Sequence, residues 1–149
     1  MPDLPMSEFV DKVCEIMPIM MKGFFRQQAE GLHRMKITLP QFVVLDILNK
    51  QDESKMSDLA HFINVTTAAM TGIVDRLVRD GYIRRTSDPE DRRIILVSLT
   101  TKGDKLVKEV TDERKKHFCK IFGMISQKDR EEYLRILGHV RDHLVEKSH

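Results

Sequence analysis

Apolar residues recur every three or four positions along most of the chain, and this spacing predicts amphipathic helices. Long helical patterns cover about residues 7–34 near the start and 101–147 near the end. Pro18 lies inside the first pattern, and a proline removes a helical hydrogen bond, so we expect that helix either to kink there or to begin anew just after it. Between the long patterns, Thr38 followed by Gln41 predicts the capped start of another helix.

Two shorter helices are predicted within about residues 57–80. Asn64, which tolerates a left-handed backbone, lies between them, Thr66 is the expected N-cap of the second, and Gly81 ends it. The second helix is expected to bury one apolar face, made of Ala69, Met70, Ile73, Val74, Leu77 and Val78. Two helices joined by so short a turn predict a helix-turn-helix motif.

A β-hairpin is predicted over about residues 82–99. The segments 82–86 and 93–99 are rich in β-branched residues, and the segment 87–92 between them has the composition of a turn. This hairpin is the only sheet that the sequence predicts. The chain is therefore expected to be mainly α with a small β-hairpin wing (α+β), which is the arrangement of a winged helix-turn-helix.

Length and composition narrow the class of protein. The 149 residues fit one domain, 1–149, and the 25 Lys+Arg against 23 Asp+Glu mean that any attraction for nucleic acid has to come from a local patch. The chain begins without a basic leader and has no apolar run approaching ~18 residues, so we expect a soluble, cytoplasmic protein with no membrane contact. It has no Gly-rich phosphate loop, nucleophile elbow or HExxH helix, so we expect neither an enzyme nor a bound cofactor.

The segment 57–101 holds six arginines and no lysine. The planar guanidinium of arginine suits phosphates, guanine edges and narrow minor grooves. The small side chains at the start of the second short helix permit close approach to base edges, and Arg92 at the hairpin tip could enter the adjacent minor groove while Asp91 braces an arginine. The predicted DNA-binding residues, in a lobe of about 38–100, are Thr66, Thr67, Ala68, Thr71, Asp75, Arg76, Arg84, Asp91, Arg92 and Arg93.

The segment 88–103, DPEDRRIILVSLTTKG, closely resembles the wing signature of the multiple-antibiotic-resistance regulator (MarR) family. The segments 74–77 and 81–85 look like the recognition helix of that family and its exit. The resemblance covers nearly the whole chain and implies a homodimeric winged-helix transcriptional regulator, usually a repressor, that a small ligand or oxidation releases from DNA. By position, Asp91 and Arg92 match the wing pair that supports and makes the minor-groove contact. Pro18 departs from the uninterrupted first helix of the family.

The expected partners are double-stranded operator DNA, a second copy of the chain and a small effector. The helices at about 7–34 and 101–147 carry more apolar surface than a thin winged-helix core can cover, so we expect them to form the dimerisation region of a two-fold homodimer bound to a pseudo-palindromic operator. A pocket for a small aromatic or anionic effector is a further hypothesis, although a methionine stripe also fits plain core or the dimer seam. Its candidate residues are Met17, Met20, Met21, Phe24, His33 and Met35.

Two other functions stay open at the level of sequence. Cys14 lies about where the organic-hydroperoxide-sensing branch of the family keeps its reactive cysteine, so thiol-based redox sensing is one alternative. The tyrosines that surround that thiol in the branch are missing, since Tyr82 and Tyr133 lie elsewhere. The second alternative is a winged-helix protein-interaction module without DNA binding, which would favour an uncharged wing. The six histidines form no cluster with cysteine, so no metal site is predicted.

Overall fold

The computed structural model describes residues 4–146 and confirms a mainly α fold with a small sheet. Its elements are, in chain order, α1 (Met6–Arg34), α2 (Leu39–Gln51), β1 (Glu53–Lys55), α3 (Met56–Phe62), α4 (Thr67–Arg79), β2 (Ile83–Ser87), β3 (Ile95–Leu99), α5 (Thr101–Phe122) and α6 (Gln127–Glu146). The chain divides into two compact units between Thr111 and Asp112, and the first unit holds the predicted helix-turn-helix and wing. The prediction of a single domain over 1–149 stays a prediction.

The first helix is continuous through its proline. Helix α1 runs for 29 residues with Pro18 in its interior, so it does not begin anew after the proline. Pro18 has no amide hydrogen to donate, so the carbonyl of Cys14, four residues earlier, lacks its usual helical partner. Among the described residues of α1 only Leu32, in the last turn, is buried.

The hydrophobic core of the first unit surrounds α2. This helix begins with the predicted capping box, in which the Thr38 amide donates to Gln41 Oε1 at 2.9 Å and the Gln41 amide donates to Thr38 Oγ1 at 3.4 Å. Buried side chains come from the middle of α2, from α3, from one face of α4, from the sheet and from the first turns of α5. The largest fully buried ones are Leu45, Leu48, Leu59, Met70, Leu77, Val44, Val74 and Val97.

The sheet has three strands, so the prediction of a hairpin alone was wrong. Strand β3 lies in the centre, and both β1 and β2 pair with it in antiparallel register. Strand β1 was missed because it is three polar residues long and shows no alternation of apolar side chains. Its middle residue, Ser54, lies opposite Val97 and is buried, although β1 is an edge strand of the sheet.

A dense junction joins the end of α4 to the start of α5. Thr100 Oγ1 donates to the carbonyl of Gly81 at 2.6 Å and accepts from the amide of Gly103 at 3.1 Å. Lys102 Nζ donates to the Asp80 carbonyl at 2.7 Å and lies 4.6 Å from the centroid of the Tyr82 ring. A Cβ added to Gly103 would lie 2.1 Å from the Tyr82 carbonyl oxygen, so only glycine allows the two segments to approach this closely.

No helix within residues 4–146 is both long enough and apolar enough to span a membrane.

Candidate nucleic-acid interface

The turn between α3 and α4 has the predicted chemistry. Asn64 adopts a left-handed backbone with φ of 55°, and the Val65 amide donates to the Ala60 carbonyl at 3.0 Å. Thr66 Oγ1 accepts from the Ala69 amide at 3.1 Å, which is the predicted N-cap. These local contacts fix where α4 begins and in which direction it leaves the turn.

Helix α4 has a buried face and an exposed face. Met70, Val74 and Leu77 are fully buried, while Ile73 and Val78 pack beside them as partly buried residues. The predicted outward residues are all exposed: Thr67, Ala68, Thr71, Asp75 and Arg76. Ala69 was assigned to the buried face and is exposed instead, because it lies at the edge of the face on which Met70, Val74 and Leu77 are buried.

The hydroxyl groups at the start of α4 differ in what they can offer to a ligand. Thr71 Oγ1 donates its hydrogen to the Thr67 carbonyl at 2.9 Å, so this oxygen is left as an acceptor only. Thr66 Oγ1 accepts from the Ala69 amide and keeps its own hydrogen as a donor. The start of the helix therefore presents a donor and an acceptor in known positions, beside the methyl group of Ala68.

The tip of the wing is a structured turn. Asp88 Oδ1 accepts from the amides of Glu90 at 2.8 Å and Asp91 at 3.3 Å, and the Asp88 amide donates to the Ile94 carbonyl at 2.9 Å. This Asx turn holds the backbone from which Arg92 and Arg93 extend.

Asp91 braces Arg93 rather than Arg92. Its Oδ1 accepts from Arg93 Nε at 3.1 Å and from the Arg93 amide at 3.0 Å, and its Oδ2 accepts from Arg93 Nη2 at 3.2 Å. The hydrogen bonds from the Arg93 side chain, followed by the one from its amide, lower the pKa of Asp91. The resemblance to the family paired Asp91 with Arg92. The turn instead brings Arg93 close enough to donate two side-chain hydrogen bonds to the Asp91 carboxylate.

The guanidinium groups of Arg92 and Arg93 differ in how they are held. The amide and the guanidinium of Arg93 both donate to Asp91, and its side chain is still 91% exposed. The guanidinium is therefore held in place and accessible at the tip of the wing. Within the described part of the chain, no hydrogen bond or ion pair holds the side chain of Arg92. Both arginines are exposed, but only Arg93 is ordered in advance.

Two further arginines lie on β2. Arg84 Nε donates to Ser98 Oγ at 3.1 Å across the sheet. Arg85 Nη2 lies 2.5 Å from Asp75 Oδ1, so an ion pair joins the wing sheet to the outward face of α4. Asp75 was predicted to bind DNA and its carboxylate is already engaged, while Arg85 was absent from the predicted site. The two residues are ten positions apart, and the nine residues between them carry no local signal for this contact.

The predicted effector and redox residues lie mostly on α1. Met17, Met20 and Met21 are exposed in the single chain, so they are not part of its core, whereas Met35 packs against the core. Phe24 is partly buried and His33 is exposed. Cys14 and Cys119 are both free and exposed thiols. Within residues 4–146, no group of three or more His, Cys, Asp and Glu side chains is placed to hold a metal ion.

A helix-turn-helix followed directly by a wing defines the winged helix-turn-helix class of DNA-binding proteins. The family model described as "MarR family" matches residues 37–95, which include α2, the helix-turn-helix and the tip of the wing. The chain is 31% identical over 103 residues to the HTH-type transcriptional repressor MdtR of Bacillus subtilis, a match that covers 69% of this chain and 66% of MdtR. The protein belongs to the MarR family of transcriptional regulators, and it is not an enzyme.

Solved structures share the fold. The crystal structure of RV1404 from Mycobacterium tuberculosis superposes with a TM-score of 0.81 at 27% identity, covering 89% of this chain and 92% of that one. A mutant of MepR from S. aureus, solved bound to an oligodeoxyribonucleotide, superposes with a TM-score of 0.72 at 21% identity, covering 88% of this chain and 96% of that one. At that identity the likeness to MepR concerns the fold alone.

Proposed function

We propose that this DNA-binding regulator is a homodimeric repressor that binds a pseudo-palindromic operator and is released from it by a small ligand. One observation carries the DNA-binding part of the proposal: the exposed start of α4 and the braced Arg93 belong to the same compact unit, and the Asp75–Arg85 ion pair joins the helix to the wing. A recognition helix and a wing that read adjacent grooves need this arrangement.

The start of α4 is proposed to enter the major groove. A helix fits into that groove, and its N-terminal residues reach the base edges. Thr67, Ala68 and Thr71 are exposed there, and they combine hydroxyl groups with methyl groups that can contact thymine. The fold is shared with the MepR mutant that was solved bound to an oligodeoxyribonucleotide, which supports DNA binding by a chain of this fold.

The wing is proposed to enter the minor groove through Arg93. A narrow A·T-rich minor groove attracts a guanidinium, and a fork held by Asp91 loses less conformational entropy on contact. Arg92 keeps its predicted role as a DNA contact, but an unbraced side chain is expected to contribute less than Arg93.

A homodimer is proposed because both ends of the chain expose apolar helix faces. No described residue of α6 is buried, although the helix carries Leu134, Leu137, Val140 and Leu144. Helix α1 likewise exposes Phe9, Ile16 and Phe25. Apolar surface of this extent marks an interface, and a two-fold axis would place two copies of α4 about one DNA turn apart.

The dimer has a direct test. Replacing Leu134, whose side chain is 68% exposed in the single chain, by glutamate should leave each chain folded and shift the population from dimer to monomer, because a charge would be buried at the interface. Sedimentation equilibrium measures the shift, and Lys128→Glu on the same helix serves as the charged control. A wild-type chain that sediments as a monomer at every concentration would contradict the homodimer.

Release by a small ligand is proposed from the exposed apolar surface of α1. MdtR is named a repressor, which supports repression here. Helix α1 exposes an adaptable apolar surface made of Met17, Met20 and Met21. Phe24 and His33 lie further along the same helix, and Met35 directly follows it. A small aromatic or anionic compound is the expected effector class, and the exposed His33 is the candidate for contact with its charge.

The test of the proposed function is the selection of duplexes from a random library, followed by fluorescence anisotropy of the selected duplex across a salt series. A pseudo-palindrome bound by a dimer, with an affinity that falls steeply as salt rises, supports the proposal. Absence of enrichment above non-specific binding, repeated after the chain has been unfolded and refolded to remove any bound ligand, would favour the protein-interaction alternative.

Redox sensing stays the second candidate because Cys14 is exposed and lies beside the helical turn that Pro18 weakens. Hydroperoxide should then oxidise Cys14 and abolish binding of the selected duplex, and Cys14→Ser should abolish that response. Cys119→Ser is the matched control, since Cys119 is also free and exposed. Unchanged binding together with an unmodified Cys14 by mass spectrometry would remove this candidate.

A further inference from the structure

The recognition helix carries a single acidic residue, and its position is unfavourable for contact with DNA. Asp75 is the only Asp or Glu in α4, and it lies one helical turn after Thr71 on the same outward face. Near DNA, a free carboxylate at this position would be repelled by phosphates. In the structure the carboxylate is not free, because its Oδ1 lies 2.5 Å from Arg85 Nη2.

Arg85 is held by the sheet. It lies opposite the buried Val97 in the register of β2 and β3, so its backbone has little freedom to move. Its side chain is 32% exposed and that of Asp75 is 55% exposed, so the pair is not buried and contributes little to the stability of the fold. The contact is directional, however, and it adds a constraint on the outward face of α4 to the packing of Met70, Val74 and Leu77 on its buried face.

We infer that Arg85 is a positioning residue for DNA recognition, which acts by holding Asp75 and thereby setting the rotation of α4 about its axis. The same ion pair neutralises the one carboxylate on the base-facing side of the helix. Asp75 accordingly does not read bases itself. The inference rests on the proposed function, in which the start of α4 enters the major groove.

Asp75 could affect DNA binding through its charge or by positioning α4, and the two explanations predict opposite changes in affinity for the selected duplex when Asp75 is neutralised. If only charge matters, Asp75→Asn removes a negative group near phosphates and should strengthen binding to every duplex. If the pair positions α4, the same change should weaken binding to the selected duplex while binding to a random duplex stays equal or rises. The ratio of the two affinities therefore separates the explanations.

The experiment uses the full chain and two probes: the duplex that the wild type selects from a random library, and a random-sequence duplex of the same length. Anisotropy gives the affinity ratio for the wild type, Asp75→Asn, Arg85→Gln, the double variant and the charge exchange Asp75→Arg with Arg85→Asp. Glu90→Gln is the matched control, because it removes one exposed wing carboxylate that has no side-chain partner within the described residues.

Each single variant should lower the ratio by at least about fivefold, the low end of what one base contact contributes. The double variant should lose no more than the single variants, since both break the same pair, and the charge exchange should recover part of the loss. Glu90→Gln should leave the ratio unchanged. Arg85→Gln should also leave the slope of affinity against salt unchanged, because Arg85 holds Asp75 and does not bind a phosphate.

Three results would overturn the inference. The first is an unchanged ratio of the two affinities in Asp75→Asn, and the second is a loss in the double variant equal to the sum of the losses in the single variants. The third is a slope of affinity against salt that falls in Arg85→Gln by about the amount of one phosphate contact. Circular dichroism and thermal unfolding check that each variant is folded. If Arg85→Gln does not fold, the affinity ratio is measured for Arg85→Lys in its place. If the wild type selects no sequence, the proposed function fails; if it does select one and the variants keep its ratio, only this inference fails.

Discussion

The bidentate contact between Asp91 and Arg93 predicts an unequal division of binding energy at the wing. Arg93→Ala removes a guanidinium that is already ordered, and it should cost about 1–3 kcal/mol of binding to the selected duplex, or about 5- to 150-fold in affinity. Arg92→Ala should cost less, because ordering a free arginine on binding offsets about 0.5–1.5 kcal/mol of whatever its contact contributes.

Anisotropy titrations at one salt concentration compare the two variants, and a salt series shows whether either contact involves a phosphate. Asp91→Ala keeps Arg93 and removes its brace, so a loss of a few-fold, smaller than that of Arg93→Ala, is expected. A larger loss from Arg92→Ala than from Arg93→Ala would refute the argument, since it would mean that the braced arginine is not the one that contacts DNA.

Two further predictions concern stability and charge. Gly103→Ala should lower the free energy of unfolding by about 1–3 kcal/mol or more, because its Cβ would lie 2.1 Å from the Tyr82 carbonyl oxygen; chemical denaturation measures this, with Gly138→Ala, whose Cβ meets nothing within 4 Å, as the control. An unchanged midpoint would contradict the close approach. The pKa of Asp91 lies below its ordinary value of 3.8 when folded, so the brace contributes above that pH and is lost as the pH falls through the lower folded value. Titration of its side-chain carbon by NMR should show the lowered pKa, and Arg93→Ala should return it towards 3.8.

Local chemistry made much of the fold predictable. Thr38, Asn64, Thr66 and Gly81 mark helix ends through side-chain caps or a left-handed backbone, and such signals depend on only a few neighbouring residues. The buried face of α4, except for Ala69, followed from the helical period. The strand β1 could not be found by this route, since its three residues are held by pairing with β3 rather than by a pattern of their own.

The candidate site was predictable in its location and less so in its contacts. The exposed start of α4 and the arginines of the wing were identified from residue type and order. The partner of each carboxylate was not: Asp75 meets Arg85 only because α4 packs beside β2, and Asp91 meets Arg93 only because the turn brings them together. Ion pairs of this kind depend on tertiary geometry, which residue spacing does not reveal.

The contacts of Thr100, Lys102 and Gly103 also have a mechanical consequence. They attach the C-terminal end of α4 to the first turn of α5, so a displacement of that turn pulls on the recognition helix at its far end. Helix α4 has 13 residues and is about 20 Å long, so a tilt of about 10° at this pivot moves its first residue by about 3 Å. That is as long as a hydrogen bond, so a small rotation at the junction is enough to separate Thr67 from a base edge without any ligand touching the DNA-facing surface.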